Sequence, residues 1–293
     1  MNLSIVIISY KSLTNLENCL KHLGNKREIL IIENSNEYKL KENIESKHKN
    51  CKVILNKENF GFGKASNIGI EKVNTQFVLL LSTDILIKEN QIDLIENEIL
   101  KLNNSFALAS PLSDDLIDFI KNNNFDKFLE NKIIDPNNND DSTKVDLIKG
   151  CSLIINLKKF EKQKVFDENF FFFFEEIDLC RRVKNSKESI YILNKIKIIH
   201  YSGKGVDPKL QSNYDDFRNW NFYWSRFYYY KKHYGYLFSF IKHISKLLRF
   251  FVNTIRFYLF SKEEFKKNKS RFLGLSCSMI GINSKLSNKI LNK

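Results

Sequence analysis

From residue 3 to residue 102 the chain alternates short, continuous apolar runs with helix-like stretches, and no other feature restricts its fold so tightly. The apolar runs are Leu3–Ser9, Ile29–Glu33, Val53–Asn56 and Phe77–Ser82. The helix-like stretches lie near Leu13–Leu23, Tyr38–Lys47, Lys64–Lys72 and Glu89–Leu102. Short unbroken runs rich in Ile, Val and Leu are what strands covered on both faces by crossover helices require. The pattern therefore predicts an α/β fold with a mostly parallel central sheet flanked by helices. Ligands of such sheets bind outside the carboxyl ends of the strands. Ser9-Tyr10, Glu33-Asn34-Ser35 and Ser82-Thr83-Asp84 are thus expected to converge on one crevice.

A chain of 293 residues has room for one large α/β domain or for a domain with an appendage. Its five cysteines (Cys19, Cys51, Cys151, Cys180 and Cys277) form no C-x-x-C pair and no metal spacing with the five histidines. That argues against a disulfide framework or structural zinc and suits a reducing compartment. The N-terminal apolar run lacks a basic leader and a small-residue cleavage site, so it reads as the first core strand. The formal charge of +13 fits nucleic acid, an anionic membrane or an anionic substrate, and charge alone does not choose among them. Much of the excess lies beyond residue 195.

Between about Leu112 and Ser142 the chain becomes polar and asparagine-rich, which reads as a mobile excursion over the sheet. Core patterning resumes at Val145. Gly150–Ile155 reads as a strand, Ile177–Val183 as the opening of a helix, and Ile190–Leu193 and Ile196–Ile199 as short strands leading to His200. A flexible stretch, Tyr201–Gly205, is expected after it. Over Tyr236–Phe260 a helical face of Leu237, Ile241, Ile244, Leu248, Phe251, Ile255 and Leu259 opposes one of Lys242, Lys246, Arg249, Asn253 and Arg256. Charges at that spacing exclude a bilayer span. Two dispositions stay open: flat on anionic lipid, or packed on the domain with a solvated basic face.

Several polar groups sit where this architecture would present them to a ligand. Glu33 and Asn34 end a strand and offer a carboxylate and an amide to a base or ribose edge. Asn59–Gly69 places glycines where backbone can approach a ligand closely and then opens a helix. It is not a dinucleotide fingerprint, because the G-x-G-x-x-G spacing is broken and the loop follows the third strand. Asp84 supplies the carboxylate oxygen that a hard divalent ion needs, and His200 is a candidate second ligand. Glu175, Glu176 and Asp178 put three carboxylates at a helix start, directly after the five phenylalanines Phe170–Phe174. Apolar surroundings raise a carboxyl pKa toward the range of a general base. Spacing does not say which of the three is affected.

In this order the segments resemble the inverting family 2 glycosyltransferases of the GT-A fold, in the branch that includes bacterial rhamnosyltransferases. Ile5–Tyr10 is similar to the family's first strand, Ile31–Ser35 to its V-D-N-x-S segment, and Asn59–Gly69 to its N-x-G-x-x-x-x-x-N-x-G loop. Leu79–Asp84 resembles L-L-N-P-D, and Phe166-Asp167-Glu168 through Arg182 resembles F-D-E-x-F-F-x-x-x-E-D-x-D-L-x-x-R. Here Glu33 and Glu176 stand where the family usually has Asp, and Ser82-Thr83 where it has Asn-Pro. The resemblance covers roughly residues 3 to 235 and implies a GT-A domain over 1–235, with a basic amphipathic helical extension over 236–293.

The resemblance also implies donor contacts from Ser9, Tyr10, Glu33, Asn34, Lys64, Asn67, Ser82 and Asp84, with Arg226 or Lys231 on phosphate. It implies Mg²⁺ or Mn²⁺ held by Asp84 with help from His200, and a base at Glu176, with Glu175 or Asp178 as alternatives. The expected reaction moves a sugar from dTDP-rhamnose or a UDP-sugar to a glycan or lipid-linked acceptor, with inversion, in cell-surface polysaccharide synthesis. The expected place is cytoplasmic, peripheral on the inner membrane face, with no nucleic acid partner. The competing reading is a nucleotide-sugar-binding or scaffold protein that has lost catalysis.

Overall fold

The computed structural model describes residues 3–122, 126, 128, 129, 140–160, 164–201 and 211–286. Residues 123–125, 127 and 130–139 of the expected asparagine-rich excursion, and the stretch after Tyr201, lie outside the described residues. By internal contacts the chain divides into two compact units. The first comprises Met1–Asn59, Lys64–Phe166 and Glu176–Asp207, and the second Phe60–Gly63, Asp167–Glu175 and Pro208–Lys293.

The first unit is a nine-stranded mixed sheet with helices. Its early elements are β1 (Leu3–Ser9), α1 (Leu13–Leu23), β2 (Ile29–Glu33), α2 (Tyr38–Lys47), β3 (Cys51–Leu55), α3 (Phe62–Ile70), β4 (Phe77–Ser82), β5 (Ile85–Leu86) and α4 (Glu89–Lys101). Then follow β6 (Leu108–Ser113), α5 (Leu116–Asn122), β7 (Ser142–Val145), β8 (Ser152–Asn156), α6 (Glu175–Asn185) and β9 (Ile190–His200). The order across the sheet is β3-β2-β1-β4-β8-β6-β9-β5, with β7 also on β9.

β3, β2, β1 and β4 pair in parallel, as their unbroken apolar runs require. Beyond β4 the direction is mixed: β8 is antiparallel to β4 and β6, while β6 and β9 are parallel. The two short strands expected before His200 are one strand, interrupted where the pairing skips from Pro111↔Leu193 to Leu112↔Lys197. The skipped polar residues explain the gap in the apolar pattern: Asn194 turns its amide to Thr143 Oγ1 (2.8 Å) and the Asp140 carbonyl (3.1 Å).

The helices bury one stripe each. α1 buries Leu16, Cys19, Leu20 and Leu23, and α4 buries Ile92, Ile95 and Ile99, the i, i+3/i+4, i+7 rows of a helix laid on a sheet. Their partners in the core are Ile5, Ile7, Ile29, Ile31, Leu79 and Leu81. The chain leaves β1 toward β2 on one side and returns to β4 on the other, so the carboxyl ends of β1 and β4 flank a topological switch point.

The second unit is helical: α7 (Gln211–Tyr234), α8 (Tyr236–Phe257) and α9 (Lys262–Met279) with the phenylalanine run. Phe227, Phe250, Leu275 and Met279 form one core, and Trp220, Trp224 and Cys277 another. Among the described residues no helix is long and apolar enough to cross a membrane. α7 and α9 cross where α9 has Gly274, and a Cβ there would stand 2.2 Å from the Trp220 carbonyl oxygen. Backbone cannot rotate away as a side chain can. Gly274→Ala is therefore expected to destabilise the protein by roughly 1–3 kcal/mol despite alanine's better helix propensity, seen as a lower denaturant midpoint. An unchanged midpoint would refute the close crossing.

Candidate active site

Strand ends and one short pairing assemble the polar cluster. β5 pairs antiparallel with the end of β9, matching Ile85 with His200, so Asp84 meets the His200 ring. The backbone locks this corner, with Tyr201 N–H donating to the Asp84 carbonyl at 3.0 Å. Asp84 Oδ2 lies 3.4 Å from His200 Nε2, and Asp84 Oδ1 accepts from Ser82 Oγ at 2.5 Å. Burial works to raise the Asp84 pKa, but His200 and the Ser82 hydroxyl outweigh it and hold the carboxyl below its usual range.

Two residues that the sequence reading passed over complete the cluster. Asp115 Oδ2 lies 2.8 Å from His200 Nδ1, and Lys149 Nζ contacts both that carboxylate and Nδ1, the latter at 2.9 Å. Asp114 Oδ1 takes the His200 backbone N–H at 3.0 Å. Burial alone would lower the His200 pKa, yet Asp115 and Asp84 together raise it. Both ring nitrogens face carboxylates, Nδ1 toward Asp115 and Nε2 toward Asp84, an arrangement that favours a proton on each nitrogen. Asp115 follows the carboxyl end of β6, and the strand-end rule that singled out Asp84 points to it equally. Lys149 had no such signal, because it precedes β8, whose antiparallel direction brings its amino end to this edge.

A three-residue step ties this cluster to the acidic helix start. Lys149 touches Asp115 and His200, a Cβ on Gly150 would lie 3.3 Å from Glu176 Cβ, and the Cys151 carbonyl accepts from Ser82 N at 3.0 Å. Asp84, His200 and Glu176 therefore border one short stretch of chain. Of the three carboxylates, Asp178 is fully buried and accepts from Arg182 Nε at 2.9 Å, which commits it to an ion pair within α6. Glu175 is buried as the first residue of α6. Glu176 is buried as well, and its Oε2 has no hydrogen-bond partner among the described residues. Burial pushes its pKa up to about 6, against the opposing pull of helix-start N–H groups and the Lys149 charge. Phe173 and Phe174, just before it, hold left-handed φ angles of 67° and 70°, where a bulky side chain is strained.

At the ends of β1 and β2 the expected donor residues are knit into their own loops. Ser9 is buried, its Oγ 3.2 Å from Ser12 Oγ, and its carbonyl accepts from Asn34 N at 2.8 Å. Glu33 accepts from Ser35 N and Glu37 N, each at 2.9 Å, and from the Ser35 hydroxyl. The Asn34 amide joins Asn59 (2.8 Å) and Asn56 (3.0 Å), and Tyr10 sits half-buried beside Lys11. Asn67 clamps the backbone of Phe166 through both amide atoms, at 2.9 and 3.0 Å, while Lys64 lies half-buried two residues into α3. Arg226 belongs to α7 in the second unit, where its charge acts with burial to push His243 down to about 4.

Residues 4–174 match glycosyl transferase family 2. The chain belongs to that family and is a glycosyltransferase of the GT-A fold. It is 26% identical over 232 residues, 74% of each chain, to the low-salt glycan biosynthesis hexosyltransferase Agl10 of Haloferax volcanii. The fold is similar to that of the mannosyltransferase PcManGT from Pyrobaculum calidifontis, solved with GDP-Man and Mn²⁺ (TM-score 0.55, 8% identity, 95% of this chain and 87% of that one). It is also similar to GalNAc-T7 solved with UDP, GalNAc and Mn²⁺ (TM-score 0.53, 15% identity, 70% of this chain and 45% of that one).

The burial of Glu176 carries a stability consequence. A carboxyl raised from 4.5 to about 6 binds its proton more tightly in the folded chain, so its contribution is full below about pH 4.5 and lost as pH rises through about 6. Glu176→Gln, always neutral, is expected to be more stable than the wild type at about pH 8, by about 2 kcal/mol, with the two converging near pH 4.5. Thermal melts across that range measure the difference. A variant less stable at about pH 8 would contradict a burial-strained carboxylate.

Proposed function

We propose that the chain transfers a sugar from a nucleoside-diphosphate donor, dTDP-rhamnose or a UDP-sugar, to a hydroxyl of a glycan or lipid-linked acceptor, inverting the anomeric centre. The single observation that carries this reading is Glu176: a buried carboxylate with a raised pKa and an oxygen that has no partner among the described residues, one residue step from the Asp84–His200 pair. Loss of catalysis would not leave that costly group in place. The relative from Haloferax volcanii acts as a hexosyltransferase in glycan biosynthesis, which supports a role in cell-surface polysaccharide synthesis. In this reading residues 1–235 form the transferase domain and 236–293 its extension, working at the inner membrane face.

The donor set at Asp84 and His200 fits a divalent ion. Two ligands at about 2.1 Å on a six-coordinate ion stand about 3 Å apart, close to the 3.4 Å between Asp84 Oδ2 and His200 Nε2. With an ion in place of the Nε2 proton, Asp115 would hold the ring through Nδ1–H, as carboxylates do behind metal-binding histidines. Among the described residues no group of three or more His, Cys, Asp or Glu forms a cage, and a two-ligand set leaves room for diphosphate oxygens. Mg²⁺ or Mn²⁺ bound there supplies charge neutralisation for the departing nucleoside diphosphate. Mn²⁺ is present with GDP-Man in one of the solved structures and with UDP in the other.

The protein's own residues do the rest. Glu176 takes the proton from the acceptor hydroxyl as oxygen attacks the anomeric carbon from the face opposite the leaving group. Lys149 sits between Glu176 and His200 and keeps positive charge near both. Ser9, Tyr10, Asn34 and Ser82 border the nucleotide, with Glu33 shaping the turn that presents Asn34 and Asn67 securing the glycine-rich loop beside Lys64. Glu175 backs the helix start and Asp178 steadies it through Arg182.

Purified enzyme, a donor panel and Mn²⁺ or Mg²⁺ test this assignment. Glu176→Gln is expected to lower kcat by about 10²–10⁴-fold while donor and Mn²⁺ together still raise the melting temperature. Asp84→Ala is expected to lose the Mn²⁺-dependent part of that rise. Wild-type kcat should fall as pH drops through about 6, the range in which Glu176 gains its proton. Full turnover by Glu176→Gln would remove that residue from the chemistry, and absence of stabilisation by every donor would remove the donor site.

A further inference from the structure

α8 packs in the opposite sense to an ordinary surface helix. The residues it buries are Ser239, His243 and Phe250, with the Ser239 hydroxyl on the Phe227 carbonyl at 2.9 Å and His243 Nδ1 2.7 Å from the Ser239 carbonyl. Its apolar stripe faces solvent instead. Leu237 is 71% exposed, Ile241 66%, Leu248 58% and Ile255 61%, and beyond the helix end Leu259 and Phe260 reach 81% and 80%. The spacing of Leu237, Ile241, Leu248 and Ile255 puts those four on one face, and the Leu259-Phe260 turn follows the helix end. Soluble proteins seldom leave so continuous an apolar strip in water unless something binds it.

The charge beside the strip identifies the occupant. Lys242, Lys246, Arg249 and Arg256 run along one flank, and none of them is in an ion pair among the described residues. No Asp or Glu occurs between Phe217 and Lys262. A second copy of the chain would bring the same basic flank onto itself with no acid to meet it, since an isologous contact pairs a patch with its own image. A surface of anionic lipid headgroups over acyl chains complements both features, and a helix too charged to span lies flat on it.

We propose that α8 and the turn after it, from Leu237 to Phe260, are a docking surface for an anionic phospholipid leaflet. Leu237, Ile241, Leu248 and Ile255 enter the acyl boundary, the Leu259-Phe260 tip wedges in beside them, and the four cations hold headgroup phosphates. The proposal rests on this surface alone, independent of the donor site.

The test is co-sedimentation of the full chain with vesicles of phosphatidylcholine, with or without phosphatidylglycerol. Wild type is expected to bind the anionic vesicles at least about tenfold more tightly than the neutral ones, with added salt narrowing the gap. The triple variant Ile241→Ser, Leu248→Ser, Ile255→Ser should lose binding to both. Arg249→Glu with Arg256→Glu should lose the preference for anionic lipid. All these side chains are exposed, so unchanged melting curves and donor-dependent stabilisation serve as the folding control. No vesicle binding by the wild type, binding untouched by the serine substitutions, or a dimer in sedimentation analysis that those substitutions dissolve would each overturn the proposal.

Discussion

The polar centre of this enzyme depends on the pairing of a two-residue strand, β5, with the end of β9. Strand register is all-or-none, since a slip of one residue turns a side chain to the other face. With Ile85 opposite His200, the Asp84 carboxylate and the imidazole face each other; a residue's shift would separate them. The surroundings hold that register from both sides. Ser82 fixes Asp84, while adjacent aspartates divide the work on His200, Asp114 taking the backbone N–H and Asp115 the ring.

The acidic start of α6 shows how one short segment separates structural from chemical charge. Asp178 and Arg182 satisfy each other one helical turn apart, so that carboxylate serves the helix. Glu176 is buried against Gly150 and keeps an oxygen without a hydrogen-bond partner among the described residues. Two phenylalanines in left-handed conformation lead into it, with the Phe174 ring packed between Phe222 and Tyr229. Strain and a destabilised carboxylate in adjacent residues are the kind of local cost that functional sites retain. The aromatic run therefore both packs the second unit and sets the chain direction into the helix.

How much was legible in the sequence follows the range of the interactions. β1 to β4 and α1 to α4 follow from local patterning, because a strand buried on both faces must be apolar throughout and a helix on a sheet must be apolar on one stripe. The family's motifs then identified Asp84, Glu176 and His200 as candidates. Asp115 and Lys149 were not seen, since their importance comes from β6 and β8 lying out of sequence order in the sheet. The pattern of β9 reads as two strands because its irregular residues, including Asn194, satisfy their polar groups through tertiary contacts that no local pattern records.

The amino-acid sequence by itself determined the α/β alternation, the family and the existence of an amphipathic basic helix near the C-terminus, because each is written in periodicity or in ordered motifs. Only the tertiary structure decided which carboxylate of α6 is committed to an ion pair, which residues hold His200, and which face of α8 meets water. Those outcomes depend on burial and on partners far away in the chain. Periodicity reports that a helix has two faces; packing alone decides which one is covered.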